Sequence, residues 1–296
     1  MSFELPNDSQ FDQLALEKAV RSLNKTGVRR SPLTLERVRA WVNQFELEEE
    51  KSLAWLILRH LVYRTGPQLE SSLRQALKNA ATHFLMTSPN FSEANWKDLL
   101  AGKISALKVF CGPPVGEYTP PGKSGEVITR AVNRAYGVNK WYPQDARTLQ
   151  DDERYLIVDD GAYTGEQLIR FLEGWRDSYL DGKVAIVVGL AHQKAVEALK
   201  HRYPEVPLFA GEILTEKNGL SHISDRWIQD KQWPYSESTP LSVYHSIYSR
   251  KGAFTTYAPD GFGSLGLMVA FEHGIPDDSL QLLWDKSASW TPLLER

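Results

Sequence analysis

The chain has 296 residues, enough for one large domain or two smaller ones, with the apolar and charged fractions of an ordinary globular protein. A net charge of −3 excludes a global attraction to nucleic acid, and the single cysteine, Cys111, excludes an intramolecular disulfide and a cysteine metal cluster. We find no run of 18 apolar residues and no signal-peptide core at the start, so we expect a cytoplasmic protein without a membrane span.

Residues 1–100 are predicted to be a helical region, because apolar residues recur at helical spacing over 35–45, 53–61 and 69–77. Three short helices would suit a helix-turn-helix or winged-helix module. The basic residues that would then contact phosphates are Lys25, Arg29, Arg30, Arg37 and Arg39. The region holds 13 lysines and arginines against 12 aspartates and glutamates, however, and this balance favours a structural or partner-binding role over nucleic-acid binding.

A strand predicted over 104–111 leads into a loop, 112–125, that contains four prolines and four glycines. The loop ends in Gly-Lys-Ser, which invites comparison with a nucleotide-binding P-loop. That motif requires a further glycine at the position of Glu117, so we set the P-loop interpretation aside. A helix is predicted directly after the loop, over 126–136.

Residues 155–168 carry the clearest chemistry in the sequence. A short apolar strand, Leu156 to Val158, is followed by two carboxylates, Asp159 and Asp160, then by a small-residue turn and a helical pattern. The free N–H groups and the positive dipole at a helix start bind phosphate. Carboxylates beside them accept hydrogen bonds from sugar hydroxyls or hold a divalent cation, so a ribose 5-phosphate ligand is indicated.

Two other interpretations of this stretch stay open from the residues alone. In the first, Asp159 and Asp160 merely end a strand and cap the helix that follows. A phospho-acceptor aspartate of a receiver-like domain is the other alternative.

The remaining strands alternate with helices. A strand over 183–190, apolar on both faces, a helix over 193–203 and a strand over 206–210 predict an α/β fold with parallel strands. Residues 214–250 are predicted to form a packed, irregular insertion. After a strand over 267–271 come Glu272 and His273, which suit either an acid/base pair or a turn at the strand end.

The stretch Leu156 to Gly165 resembles the signature of the type I phosphoribosyltransferases: an apolar strand, two acidic residues, three small or apolar residues and Thr-Gly. The resemblance implies a parallel-sheet type I phosphoribosyltransferase-like core over 101–296, preceded by the helical region 1–100. It implies that Asp159 and Asp160 engage the ribose diol and Mg²⁺. The residues that it assigns to the 5-phosphate are Gly161, Ala162, Tyr163, Thr164, Gly165, Glu166 and Gln167, and those for the pyrophosphate are Lys123, Ser124 and Gly125.

Further motifs resemble one branch, the phosphoribosyltransferase-like domains of bacterial conflict systems, which occur among anti-phage defence genes and some retron effectors. The similar features span roughly residues 35–296 and include the glycine-rich loop before Leu267, Glu272-His273 and the terminal Trp-x-Pro-Leu. Salvage enzymes carry small or hydroxyl residues after Thr-Gly, whereas Glu166 and Gln167 stand here, and Gln is usual in the branch.

The resemblance implies an anti-phage effector that binds phosphoribosyl pyrophosphate or a nucleotide and acts as a glycosyltransferase or nucleotide-modifying enzyme. Its catalytic candidates are Asp159, Asp160, Glu272 and His273. A defence-system protein or nucleoprotein is the implied partner. The alternative is a non-catalytic nucleotide or sugar-phosphate sensor, or a partner-binding module, on the same fold.

Overall fold

The computed structural model describes residues 8–87, 95–101, 103, 107–111, 124–136, 153–175, 180, 182–251 and 258–295. Most of the proline- and glycine-rich loop, including Lys123, lies outside the described residues, as does the start of the strand predicted from residue 104.

Helices and parallel strands alternate along the described chain. The helices are α1 (Asp8–Lys25), α2 (Leu35–Val42), α3 (Glu48–His60), α4 (Gly66–Thr87), α5 (Trp96–Leu100), α6 (Ser124–Tyr136), α7 (Glu166–Glu173), α8 (Gln193–Arg202), α9 (Leu220–Gln229) and α10 (Pro240–Lys251). The strands are β1 (Val62–Arg64), β2 (Leu107–Cys111), β3 (Arg154–Ala162), β4 (Val184–His192), β5 (Leu208–Leu214) and β6 (Val269–Phe271). Short 3-10 helices span Glu216–Asn218, Phe262–Ser264 and Gln281–Leu283. The predicted mixed α/β fold with parallel sheets is confirmed.

The chain forms two compact units, and the first is discontinuous in sequence. Unit 1 comprises Met1–Gly66 and Glu216–Arg296, and unit 2 comprises Pro67–Thr215. The boundary that the sequence predicts at residue 100 falls inside unit 2, so the two divisions of the chain do not coincide. The apolar patterns predicted over 35–45 and 53–61 lie mainly on α2 and α3, in unit 1. The pattern over 69–77 lies on the part of α4 that belongs to unit 2.

Unit 2 is built on a four-stranded sheet with the order β2-β3-β4-β5, in which every pair is parallel. All nine residues of β4 are buried, as its uninterrupted apolar sequence predicts. In the register between β3 and β4, Asp159 lies opposite Val188 and Ala162 opposite Ala191. The carboxyl ends of these two strands therefore stand side by side.

Helices cover both faces of this sheet. On one face, Ile157 and Val188 share an apolar core with Leu168 of α7 and Leu199 of α8. Successive strand residues point to opposite faces, so Gly189 faces the other side. A Cβ atom at Gly189 would overlap Leu69 of α4 and lie 2.9 Å from the carbonyl oxygen of Asp160. Glycine at this position therefore lets α4 pack closely on the sheet.

Unit 1 joins the two ends of the described chain in one apolar core, to which α1, α2, α3, α9, α10 and the last residues contribute. Trp41 of α2, and Phe45 just after this helix, make edge-on contacts with Trp290 at ring-centroid distances of 6.0 and 5.2 Å. Strands β1 and β6 pair in parallel, with Val62 opposite Val269. The segment predicted to be an irregular insertion is thus partly regular, since it contains α9 and α10.

Among the described residues, no helix has the length and apolar character needed to cross a membrane.

Candidate functional site

The acidic pair lies within β3, near its carboxyl end. Tyr155 to Val158 are buried between the neighbouring strands, and the strand continues through Asp159 and Asp160 to Ala162. The sheet ladder therefore fixes the backbone of both aspartates: Asp159 pairs with Val188, and Gly161 pairs with Leu190. Ligands bind at the carboxyl ends of the strands in open parallel sheets, and the acidic pair lies at this end of the sheet.

Asp159 is a buried carboxyl group without a cationic partner among the described residues. Its side chain is only 6% exposed, and its Oδ1 atom accepts hydrogen bonds from the Asp160 N–H at 2.9 Å and from the Ser124 hydroxyl at 3.2 Å. Burial, and next the negative charge of Asp160, raise the pKa of Asp159 well above its usual value. A side-chain hydrogen bond with Asp160 also raises the pKa of Asp159.

The turn after the strand is tightly packed. The ring of Tyr163 folds back over Gly161, where an added Cβ would lie 2.5 Å from the Tyr163 hydroxyl oxygen. Gly165 has a φ of +83°, and a Cβ there would lie 3.2 Å from the Cα of Ala195 in α8. Only glycine adopts this backbone easily and allows this approach, so the Thr-Gly step fixes where α7 begins.

Helix α7 begins directly after this turn. Thr164 is buried, and its hydroxyl oxygen accepts a long hydrogen bond of 3.4 Å from the Glu166 N–H. Glu166 and Gln167 are exposed, and the Glu166 carboxylate pairs with Arg170 at 3.0 Å. The arginine offsets the charge that sets this sequence apart from salvage enzymes. The first turn of α7 still presents the backbone N–H groups that suit an anion.

Of the three residues predicted to hold the pyrophosphate, only the last two are described. Ser124 is the first residue of α6 and Gly125 follows in its first turn, whereas Lys123 lies outside the described residues. Helix α6 packs on β2 and β3 and buries Ile128 and Val132. Ser124 therefore reaches the acidic pair from a packed helix.

Glu272 and His273 belong to unit 1, whereas Asp159 and Asp160 belong to unit 2. Glu272 Oε2 accepts hydrogen bonds from Arg30 Nη2 at 2.9 Å and from the Gly66 N–H at 2.7 Å. Partial burial on its own would raise the pKa of Glu272, but these bonds and the positive charge of Arg30 lower it. The His273 ring stacks on Phe271 at 5.1 Å. A catalytic role for Glu272 and His273 stays a prediction.

The basic residues between 25 and 39 are largely engaged within unit 1. Arg29 is buried, which lowers its pKa to about 10. The partners are the Leu61 carbonyl for Arg29, Glu272 for Arg30, the Leu293 carbonyl for Arg37 and Glu17 for Arg39. These contacts compete with phosphate binding, and nucleic-acid binding stays a prediction.

The sequence interpretation missed His192, the last residue of β4. This buried ring precedes α8, and its Nδ1 atom accepts a hydrogen bond from the Lys194 N–H at 3.1 Å. A histidine that ends a buried strand and directly precedes a helix, on the strand that pairs with β3, was the signal that could have identified it.

The donor set at the acidic pair fits a magnesium ion that the ligand itself helps to hold. Mg²⁺ is usually bound through one or two carboxylates together with substrate phosphates and water. Asp159 and Asp160 would supply the carboxylates, and a cation would relieve the repulsion that, after burial, raises the pKa of Asp159. Among the described residues, no cluster of three or more metal-binding side chains offers an all-protein site.

The chain matches the model of a known protein family. The model of the family described as PRTase-CE, a phosphoribosyltransferase-type domain, matches residues 38–296, which include most of unit 1 and all of unit 2. No curated protein matches the chain.

Proposed function

Because the chain belongs to the PRTase-CE family, we propose that it binds a ribose 5-phosphate compound, either phosphoribosyl pyrophosphate or a nucleotide, at the end of β3. One observation supports this most: two adjacent carboxyl groups, of which Asp159 is buried, lie near the end of β3, shortly before the glycine turn and the start of α7. Asp159 and Asp160 accept hydrogen bonds from the ribose diol. The backbone from Gly161 to Gln167 receives the 5-phosphate, with the Thr164 hydroxyl beside it.

The proposed chemistry is transfer or cleavage at the anomeric carbon of the sugar. Asp159 and Asp160 hold the ribose hydroxyls, and the α7 N-terminus fixes the phosphate, so the sugar is oriented for loss of its leaving group. Mg²⁺, when bound with the ligand, would neutralise charge on a leaving pyrophosphate. Lys123 and Gly125 are the residues of this chain proposed near that pyrophosphate.

The proposed biological setting is bacterial anti-phage defence in the cytoplasm. It is supported by the resemblance of the C-terminal motifs to conflict-system domains, including those of retrons. Consumption or modification of a nucleotide would arrest the infected cell, and a defence-system protein or nucleoprotein would control that activity. Plaque counts on cells that express the chain or its Asp159→Asn/Asp160→Asn variant test this setting, and equal counts would contradict it.

A second candidate function is ligand sensing without catalysis. One observation favours it: Glu272, a predicted member of an acid/base pair, is held by Arg30 and Gly66 with a lowered pKa. A carboxylate that stays ionised at neutral pH does not donate a proton as a general acid.

One experiment separates the two functions. The purified protein is incubated with phosphoribosyl pyrophosphate, Mg²⁺ and a nucleotide mixture, and products are followed by mass spectrometry beside ligand-dependent thermal stabilisation. The variant is Asp159→Asn/Asp160→Asn, and the matched control is Glu173→Gln, an exposed charge at the end of α7. Turnover that only the double variant loses supports the enzyme. Stabilisation without turnover supports the sensor, and absence of both contradicts the site.

A further inference from the structure

The contact between Ser124 and Asp159 joins two segments that are far apart in sequence. The Ser124 hydroxyl donates to Asp159 Oδ1 at 3.2 Å, across 35 positions of the chain. Ser124 stands at the start of α6, and α6 is packed on β2 and β3, so the hydroxyl approaches the strand from a fixed element. The contact is therefore part of the folded unit and needs no ligand to form.

Hydrogen-bond stoichiometry limits what Ser124 does. A serine hydroxyl has one hydrogen to donate, and a phosphate oxygen at neutral pH acts mainly as an acceptor. While the hydroxyl donates to Asp159, it does not donate to a pyrophosphate oxygen. In this geometry the side chain of Ser124 thus serves the carboxylate and not a phosphate.

The two donors to Asp159 converge on one oxygen. Both the Ser124 hydroxyl and the Asp160 N–H reach Oδ1. This arrangement fixes the rotation of the carboxyl group and leaves Oδ2 to the Asp160 carboxyl or to a ligand. Two donors from different elements hold the group more firmly than the adjacent backbone N–H alone.

We propose that Ser124 is a positioning residue, which holds the Asp159 carboxyl group in the orientation that binds the ribose hydroxyls. The inference rests on the proposed function and extends it, because it assigns the sugar, and not the pyrophosphate, as the part of the ligand that Ser124 serves. Loss of the hydroxyl weakens binding through the diol and leaves the 5-phosphate contact in place.

The test compares two ligands and three proteins. Binding of ribose 5-phosphate and of 2-deoxyribose 5-phosphate is measured by calorimetry and thermal shift, in EDTA and again with Mg²⁺, for wild type, Ser124→Ala and Ser124→Thr. We expect Ser124→Ala to weaken ribose 5-phosphate binding about 10-fold. Ser124→Thr, which keeps the hydroxyl, should bind within about 3-fold of wild type. Circular dichroism and melting without ligand confirm that each variant is folded.

The two ligands distinguish positioning from direct phosphate contact. If Ser124 acts through Asp159 on the diol, the losses caused by Ser124→Ala and by removal of the 2-hydroxyl are non-additive. Additive losses, an unchanged affinity of Ser124→Ala, or failure of Ser124→Thr to restore binding would each overturn the proposal while the proposed function stands. If wild type binds neither sugar phosphate, both proposals fall.

Discussion

Unit 1 and unit 2 each place a carboxylate at the end of a parallel strand, but they treat its charge in opposite ways. Glu272 follows β6 and is held by Arg30 and the Gly66 N–H, which lower its pKa. Asp159 lies near the end of β3, buried beside a second carboxyl group, and its pKa is raised. A carboxylate whose charge is offset inside the protein stabilises the fold, whereas a buried carboxyl group beside a second one is suited to binding a ligand.

The largest expected effect concerns the acidic pair of unit 2. Asp159→Asn/Asp160→Asn should weaken ribose 5-phosphate binding at least about 100-fold, because two acceptors for the sugar hydroxyls become partial donors. Isothermal calorimetry measures the loss, with Glu173→Gln as the control at wild-type affinity. If the double variant binds ribose 5-phosphate with wild-type affinity, the acidic pair of unit 2 is not a ligand site and the comparison of the two units fails.

Two glycines with similar backbone angles test how tightly the unit 2 turn is packed. Gly165 (φ +83°) would place a Cβ 3.2 Å from Ala195, whereas Gly27 (φ +73°) in unit 1 has open space around it. Gly27→Ala should lower the free energy of unfolding by about 1 kcal/mol from backbone strain alone. Gly165→Ala should cost about 2 kcal/mol, because the neighbouring helix must also shift. Denaturant unfolding measures both, and equal costs would show that the Ala195 contact is unimportant.

The ion pair of unit 1 should contribute less, because Arg30 is 47% exposed and Glu272 is 32% exposed. Solvent screening reduces the worth of such a pair to about 0.5–1 kcal/mol. Glu272→Gln, Arg30→Gln and the double variant form a cycle in which the coupling free energy is read from chemical unfolding. A coupling free energy near zero would show that the ion pair between Glu272 and Arg30 does not stabilise the fold.

The smallest effects are those of pH on stability, and their signs differ. The Glu272 pKa is lowered by folding, so its contribution is present above the unfolded pKa and is lost as pH falls through the folded pKa. The Asp159 pKa is raised, so its penalty develops as pH rises above the unfolded pKa of about 3.8 and is complete above the folded pKa.

Asp159→Asn should therefore raise the melting temperature at neutral pH by about 1 °C, corresponding to a few tenths of a kcal/mol, and the gain should vanish at acidic pH. Glu272→Gln should lower it at neutral pH. Melting curves of both variants from acidic to neutral pH check these signs, and the same sign for both would contradict the comparison.

The local part of the candidate site was predictable from sequence. The strand and the helix predicted within 155–173 are both present, since each has a short-range signal, but β3 continues through the acidic pair to Ala162 instead of ending at Val158. Helix α9 was missed although Leu220, Ile223 and Trp227 are buried at helical spacing, because nearby Trp233 and Pro234 gave the region an irregular composition.

Contacts between distant segments were not predictable from one sequence. The bond from Ser124 to Asp159, the packing of α4 on Gly189 and the pairing of β1 with β6 join residues that no local pattern relates. Parallel pairing in particular depends on connections that cross many residues. The division of the chain into units depends on the same long-range contacts.

The discontinuity of unit 1 imposes an order on biosynthesis. During translation, residues 67–215 emerge as a complete unit while unit 1 still lacks Glu216–Arg296. Trp41 and Phe45 then lack the contact with Trp290 until the segment 216–295 has been synthesised. Domains generally fold as they emerge from the ribosome. Unit 2 is therefore expected to fold before the apolar core around α2 and α3 is complete. In pulse-labelled nascent chains that stop before residue 216, unit 2 should accordingly resist protease, whereas α2 and α3 should be cleaved.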